Sequence, residues 1–200
     1  MIEQKHVIDF FDKLAPDWDA QLIRSDEKIR RILDHAGVTE GSLVLDVACG
    51  TGVLIPDYLS RGVSFVTAVD ISPEMIRIAK EKYRAFTDRV RFLCGDVETA
   101  DVGTGFDVVV VYNAFPHFPH PERLIRHLAG LLKEGGILTI AHGASREVID
   151  AHHNGAASLV SNGLMAAEDL ARIFSSYLEV TTVISDDEMY QVAGKKVSAR

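Results

Sequence analysis

A mostly parallel, seven-stranded α/β sheet with helices on both faces and a C-terminal antiparallel hairpin is the fold that these 200 residues predict. Three observations lead there. Short apolar runs alternate with segments of helical period, the first three of those runs end in aspartate or glycine, and the last two runs flank a short acidic turn. Residues 1–200 read as one domain, with 1–24 as an N-terminal cap and 143–163 as an inserted cap between the fifth strand and the next helix.

Val7, Phe10, Phe11 and Leu14 give an i, i+3, i+4, i+7 stripe, so residues 6–14 form a small amphipathic helix. Asp26 to Ala36 repeats the pattern and stops at Gly37. Leu43 to Ala48 is the first strand, and a helix over Val53–Ser60 follows it. Ser64 to Val69 is the second strand, closed by Asp70. Ser72 caps the next helix, Pro73 takes its first position, and the helix runs to about Phe86. Val90 to Cys94 is the third strand, and Phe106 to Tyr112, with four consecutive valines, is the central fourth. Pro121 to Lys133 carries one apolar stripe and stops at Gly135-Gly136; Ile137 to Ala141 is the fifth strand. Ser145 can start a short helix that Asn154-Gly155 ends, Ala166 to Ser175 is a further helix, and Glu179–Ile184 pairs with Glu188–Ala193 across Asp186-Asp187.

The net charge of −8 disfavours a partner gripped through a phosphate backbone, so the sequence points to a small-molecule substrate and no nucleic acid. The uncharged stretch from Val108 to His120 holds Asn113, two prolines and two histidines, which is no membrane span. The first residues lack the apolar block of a secretion signal, and Cys49 and Cys94 form no spaced framework; a cytoplasmic protein, monomer or homodimer, is expected.

In a sheet of this kind ligands bind outside the carboxyl ends of the strands. There the first strand places Asp46 and Gly50-Thr51-Gly52, the second Asp70, and the third Gly95-Asp96. Glycines let a backbone approach a ligand closely, and a carboxylate ending the second strand can accept hydrogen bonds from two ribose hydroxyls. The position of the third glycine in a dinucleotide fingerprint is Ile55, and Asp46 would sit poorly beside a pyrophosphate but well beside a cationic amino group. A nicotinamide oxidoreductase is therefore the weaker reading. A binding protein without catalysis stays open.

The run Val44-Leu45-Asp46-Val47-Ala48-Cys49-Gly50-Thr51-Gly52 resembles motif I of the class I S-adenosylmethionine-dependent methyltransferases, in style closest to the quinone-biosynthesis C-methyltransferase-like group. Ala68–Met75, Gly95–Glu98, Phe106–Val109 and Leu132–Gly136 resemble that family's later motifs in the same order, over roughly residues 8–143. The resemblance implies a Rossmann-like fold and S-adenosylmethionine as cofactor. By it, Asp46, Ala48, Gly50 and Gly52 hold the methionine portion and Asp70 the ribose, with Ile71 and Met75 of the same motif beside it. Asp96 takes the adenine amino group, Val97 lies beneath the ring, and Asn113 lines the sulfonium end. Residues Phe11–Asp19 resemble the element that folds over the cofactor in that group, which makes Trp18, the single tryptophan, a lid against water rather than an edge packing residue.

Five of the eight histidines, His117, His120, His142, His152 and His153, lie at or past the ends of the fourth and fifth strands. Three readings compete. One of His117, His142 and His152 is a general base for the acceptor. Alternatively His117 and His142 bind a divalent metal with His153, since neighbours on a helix point about 100° apart and rarely share an ion. In the third reading they only line the pocket, as His6, His35 and His127 are expected to be structural.

Overall fold

The computed structural model describes residues 2–153 and 159–198. Its strands are β1 (Leu43–Val47), β2 (Phe65–Asp70), β3 (Val90–Cys94), β4 (Phe106–Tyr112), β5 (Leu132–His142), β6 (Glu179–Ser185) and β7 (Tyr190–Lys195). They form one sheet in the order β3-β2-β1-β4-β5-β7-β6, parallel through β5, with β7 antiparallel to both β5 and β6. The helices are α1 (Gln4–Leu14), α2 (Trp18–Gln21), α3 (Asp26–His35), α4 (Ile55–Ser60), α5 (Pro73–Lys82), α6 (Pro121–Leu131), α7 (Arg146–His153) and α8 (Ala167–Ser175).

The four valines of β4 show why its sequence does not alternate. Val109 and Val111 pack with Leu124, Ile125 and Leu128 of α6 and with Leu170 and Phe174 of α8. Val108 and Val110 face the other way, into a core holding Ile29 and Leu33 of α3, Ile55 and Tyr58 of α4, and Ile76 of α5. Both faces of the strand are dry, so both parities are apolar. Caps fall where the side chains dictate: the Ser25 hydroxyl accepts from the Lys28 amide at the start of α3, and that of Ser72 from the Met75 amide at the start of α5.

Several boundaries differ from the sequence expectation, each for a local reason. The N-terminal cap is not one helix: Pro16 interrupts it in a 3-10 turn at Ala15–Asp17 before α2 begins. The helix after β1 starts at Ile55 rather than Val53 because residues up to 54 form the turn. Helix α5 ends at Lys82, and Arg84–Phe86 is a separate 3-10 turn. Gly135-Gly136 does not stop α6. The helix ends at Leu131, Leu132 already pairs with Phe106, and the glycines form an irregularity within β5. Backbone bonds between Gly135 and Lys196 and between Lys196 and Gly136 hold it, each 2.8 Å. In the hairpin Asp186 Oδ1 accepts from the amides of Glu188 and Met189, so β7 starts at Tyr190 instead of Glu188. Among the described residues no helix is long and apolar enough to cross a membrane.

The irregularity in β5 is sterically closed. A Cβ on Gly136 would stand 2.8 Å from the Phe106 carbonyl oxygen and 3.0 Å from that of Lys133, both backbone atoms. Gly136→Ala is expected to destabilise the fold by about 1–3 kcal/mol and lower the melting temperature by several degrees. Gly130→Ala, inside α6 with open space around its Cβ, is expected to raise it slightly. Thermal melts followed by circular dichroism compare the two.

Candidate functional site

The sheet order turns at β1, which has β2 on one side and β4 on the other. Such a switch point opens a crevice past the strand ends, and a cavity of roughly 340 Å³ lies there, in the range of small-ligand sites. Strand geometry sets its floor. Ala48, just after β1, and Asn113, just after β4, both hold positive φ (55° and 54°), sharp departures from the strand direction that non-glycine residues rarely adopt. Gly50 follows in the same left-handed region at 55°.

Three carboxylates face this crevice. Asp46, on β1, is only 2% exposed, and its Oδ2 has no hydrogen-bond partner among the described residues. Burial, reinforced by the neighbouring Asp70 charge, pushes its pKa up to about 8, against the opposing pull of the Tyr58 hydroxyl. Asp70 ends β2 and accepts from the Gly50 amide at 2.8 Å and the Ser72 amide at 2.9 Å. Burial raises its pKa too, although these amide bonds work against the rise. Asp96, past β3, accepts from the Glu98 amide through Oδ1 (2.9 Å) and from the Gln4 side-chain amide through Oδ2 (3.0 Å). Cys49 lies between these groups, and burial together with the Asp70 charge raises its thiol pKa well above normal, which keeps it protonated and a poor nucleophile.

The N-terminal segment closes the top. Gln4, Val7, Phe11, Trp18 and Leu22 line the cavity. Phe11 sets its ring edge against Trp18 (centroids 5.9 Å apart) and His117 (4.9 Å). Polar bonds pin the segment to the sheet. Asp12 accepts from the Ser72 hydroxyl and the Glu74 amide, adding a distant cap to α5. Asp19 accepts from the Thr51 hydroxyl and pairs with Lys82. Arg24 donates to both oxygens of Asp57 and to the Val53 carbonyl.

Of the residues the sequence nominated, Trp18, Asp46, Ala48, Gly50, Asp70, Ile71, Met75, Asp96, Val97, Asn113 and His117 all line this one cavity. Gly52 does not. Its carbonyl accepts from the Tyr83 hydroxyl at 2.8 Å, and a Cβ there would meet that ring at 2.5 Å, so Gly52 shapes the turn from behind. His142 is also apart: at 1% exposure it lies at the end of β5 with its ring edge against Tyr190. The side chains of His152 and His153 lie outside the described residues, and no group of three or more metal-binding side chains occurs among those described. The inserted segment 143–163 does not roof the cavity with any described residue. It clasps the turn after β4 instead, through His117 Nδ1 to the Val160 carbonyl (2.7 Å) and the Asn162 amide to the Pro116 carbonyl (2.9 Å). His35 and His127 bond Gln191 and the Val97 carbonyl, as structural histidines do.

Sequence reasoning missed Gln4, Leu22, Tyr112 and Arg123 on the cavity wall and the tethers of Asp12 and Asp19. For the aspartates the sequence held a signal: each directly follows an aromatic residue, Phe11 or Trp18. For the others the wall is assembled by chain crossings that leave no local pattern.

Residues 44–136 match a family model described as a methyltransferase domain. The ubiquinone biosynthesis O-methyltransferase of Coxiella burnetii is 36% identical over 101 residues, 50% of this chain and 42% of that enzyme. The malonyl-[acyl-carrier protein] O-methyltransferase of Acetivibrio thermocellus is 30% identical over 144 residues, 70% of this chain and 50% of that enzyme. The chain thus spans about half the length, or less, of the curated relatives it matches. In fold it is similar to a chain from the Haloferax volcanii complex of the Trm112 methyltransferase activator with a methyltransferase, at TM-score 0.81 and 21% identity over 97% of this chain and 99% of that one. These matches imply S-adenosylmethionine, and the residues fit it: a buried carboxylate oxygen without a partner suits a cationic amino group, and two further carboxylates suit hydroxyl and amino donors.

Two measurements test the electrostatics. Folded Asp46 keeps its proton up to about pH 8, against an ordinary value of 3.8. The folded form therefore binds more protons in that window, and the unliganded protein is expected to lose stability as pH rises from about 4 to about 8, more steeply than Asp46→Asn does. Urea melts across that range compare the slopes. A cationic ligand group on Asp46 must also expel the proton, so calorimetry at pH 7 in buffers of different ionisation enthalpy should show net proton release. Separately, removal of residues 1–20 is expected to weaken S-adenosylhomocysteine binding while the core stays folded; unchanged affinity would refute the lid.

Proposed function

We propose that this chain, which carries a class I S-adenosylmethionine-dependent methyltransferase domain, transfers the methyl group of that cofactor to a small, partly apolar acceptor. One observation carries the reading above the rest: Asp46, Asp70 and Asp96, from three different strand ends, border a single cavity, and the deepest of them is incompletely satisfied. Three acidic strand ends around one cavity are what an adenosyl amino acid would need.

When bound, the cofactor supplies an electrophilic methyl on a sulfonium, so the protein's work is alignment and exclusion of water. Asp46 would hold the amino group, Asp70 the ribose hydroxyls and Asp96 the adenine amino group, with Gln4 giving up its bond to Asp96 or sharing that carboxylate. The aromatic lid of Phe11 and Trp18 keeps water off the reacting end. His117 is the base we assign. A carbonyl only accepts, so the bond to Val160 fixes the proton on Nδ1 and leaves Nε2 as the basic nitrogen of the ring. His117 lines the same cavity as Asn113, Phe118 and Tyr112, a wall that mixes apolar and polar groups. An oxygen or carbon acceptor whose proton must leave suits it best. His142, buried at the end of β5 against Tyr190 and not on the cavity wall, is given no part, and no step needs a metal.

The test pairs binding with turnover. Calorimetric titration with S-adenosylhomocysteine is expected to show one site, with Asp46→Asn weakening it about 10- to 100-fold. Transfer of a labelled methyl to a panel of small phenols and carboxylic acids is expected for the wild type. His117→Asn keeps a donor for Val160 but no base; it should bind normally and turn over about 10²–10⁴ times more slowly. No binding at millimolar cofactor would overturn the proposal. Tight binding without transfer to any acceptor class would reduce it to a cofactor-binding role.

A further inference from the structure

Among the described residues, two buried polar atoms of cavity-lining side chains lack hydrogen-bond partners, and they are of opposite kinds. Asp46 Oδ2 can only accept when ionised; the indole Nε1–H of Trp18 can only donate. Both residues line the same cavity, and Gly50 joins them. A Cβ placed on Gly50 would come 3.7 Å from Trp18 Nε1, so the indole N–H stands directly over the bend that follows Asp46. Nitrogen donors buried without a partner are rare, because each forfeits its bond to water. Two carboxylates of the lid serve as tethers: Asp12 on α5, Asp19 on Thr51 and Lys82. Among the described residues the indole N–H is the lid's one buried side-chain polar atom without a partner.

We infer that Trp18 Nε1 donates to the α-carboxylate of the bound amino-acid portion while Asp46 accepts from its α-amino group, so that the pair reads the zwitterion. The inference rests on the function proposed above and goes beyond it by giving the single tryptophan a polar role. A purely hydrophobic lid would be served as well by phenylalanine. A carboxylate in a cavity bordered by Asp46, Asp70 and Asp96 meets like charge, the wall's Arg123 is paired with Glu98, and the nearby Lys82 is neutralised by Asp19. A neutral donor across the glycine bend from the carboxylates is what that group requires. Gly50 then has a second reason to lack a side chain, since a Cβ would stand against the indole nitrogen, 3.7 Å away.

Because the chain has one tryptophan, its indole gives one ¹⁵N–¹H signal, and two ligands separate the contributions. S-adenosylhomocysteine carries the amino-acid group; 5′-methylthioadenosine shares the nucleoside and sulfur but lacks it. The indole proton is expected to move downfield with the first ligand and stay nearly still with the second. Trp18→Phe should weaken S-adenosylhomocysteine about tenfold or more and leave methylthioadenosine affinity within twofold. An unmoved indole signal at saturation, or equal loss for both ligands in Trp18→Phe, would overturn the inference and leave only ring packing. The wild-type spectrum decides even where the variant folds poorly. Failure of both ligands to bind the wild type would instead sink the cofactor reading on which it stands.

Discussion

The carboxylate of Asp70 is the tie on which the site depends. From the end of β2 it accepts from the Gly50 amide, in the loop leaving β1, and from the Ser72 amide, at the head of α5. One side chain thus fixes the turn from β2 into α5 to the loop leaving β1, which it meets only in the folded sheet. Its burial carries a desolvation penalty that the two amide bonds partly offset. With the loop so placed, Ala48 is held in a left-handed conformation that a non-glycine residue rarely adopts, and Gly50 takes the same region freely. The lid is tied to the same point, because Asp12 reaches the Ser72 hydroxyl.

The consequence is a protein that stores unfavourable electrostatics where a ligand will sit. Asp46 and Asp70 are both nearly buried, the Asp70 charge adds to the proton affinity of Asp46, and Asp46 Oδ2 has no hydrogen-bond partner among the described residues. Without ligand, the fold tolerates this because four buried valines in β4 and the helices on both faces supply a large apolar core. A cationic group entering the cavity would relieve the strain. Affinity and specificity then arise from one source, the completion of hydrogen bonds the apoprotein leaves open.

The histidines show a different lesson. In sequence, His117 and His142 look equivalent, each just past a central strand. In space they differ by one strand in the sheet. The ring at the end of β5 packs on Tyr190 of the antiparallel neighbour, whereas the turn after β4 carries His117 into the cavity. Likewise the insertion, whose place between the fifth strand and the next helix suggested a cap, meets the site through its described residues at the edge, where the Val160 carbonyl orients His117. Strand parity and neighbour identity decide both outcomes, and neither is written locally.

By itself the sequence determined the strands and helices, their order, and the carboxylates and glycines at the ends of the first three strands. These follow from residue period, caps and turn chemistry, which act over a few positions. Tertiary structure alone decided that the carboxylates share one cavity, that Gly52 supports its turn from behind and that His142 packs on Tyr190. It also brought Gln4 to Asp96 across 92 positions of chain. The physical reason is that burial and an unmet hydrogen bond are properties of an assembled crevice, fixed by which strand lies beside which.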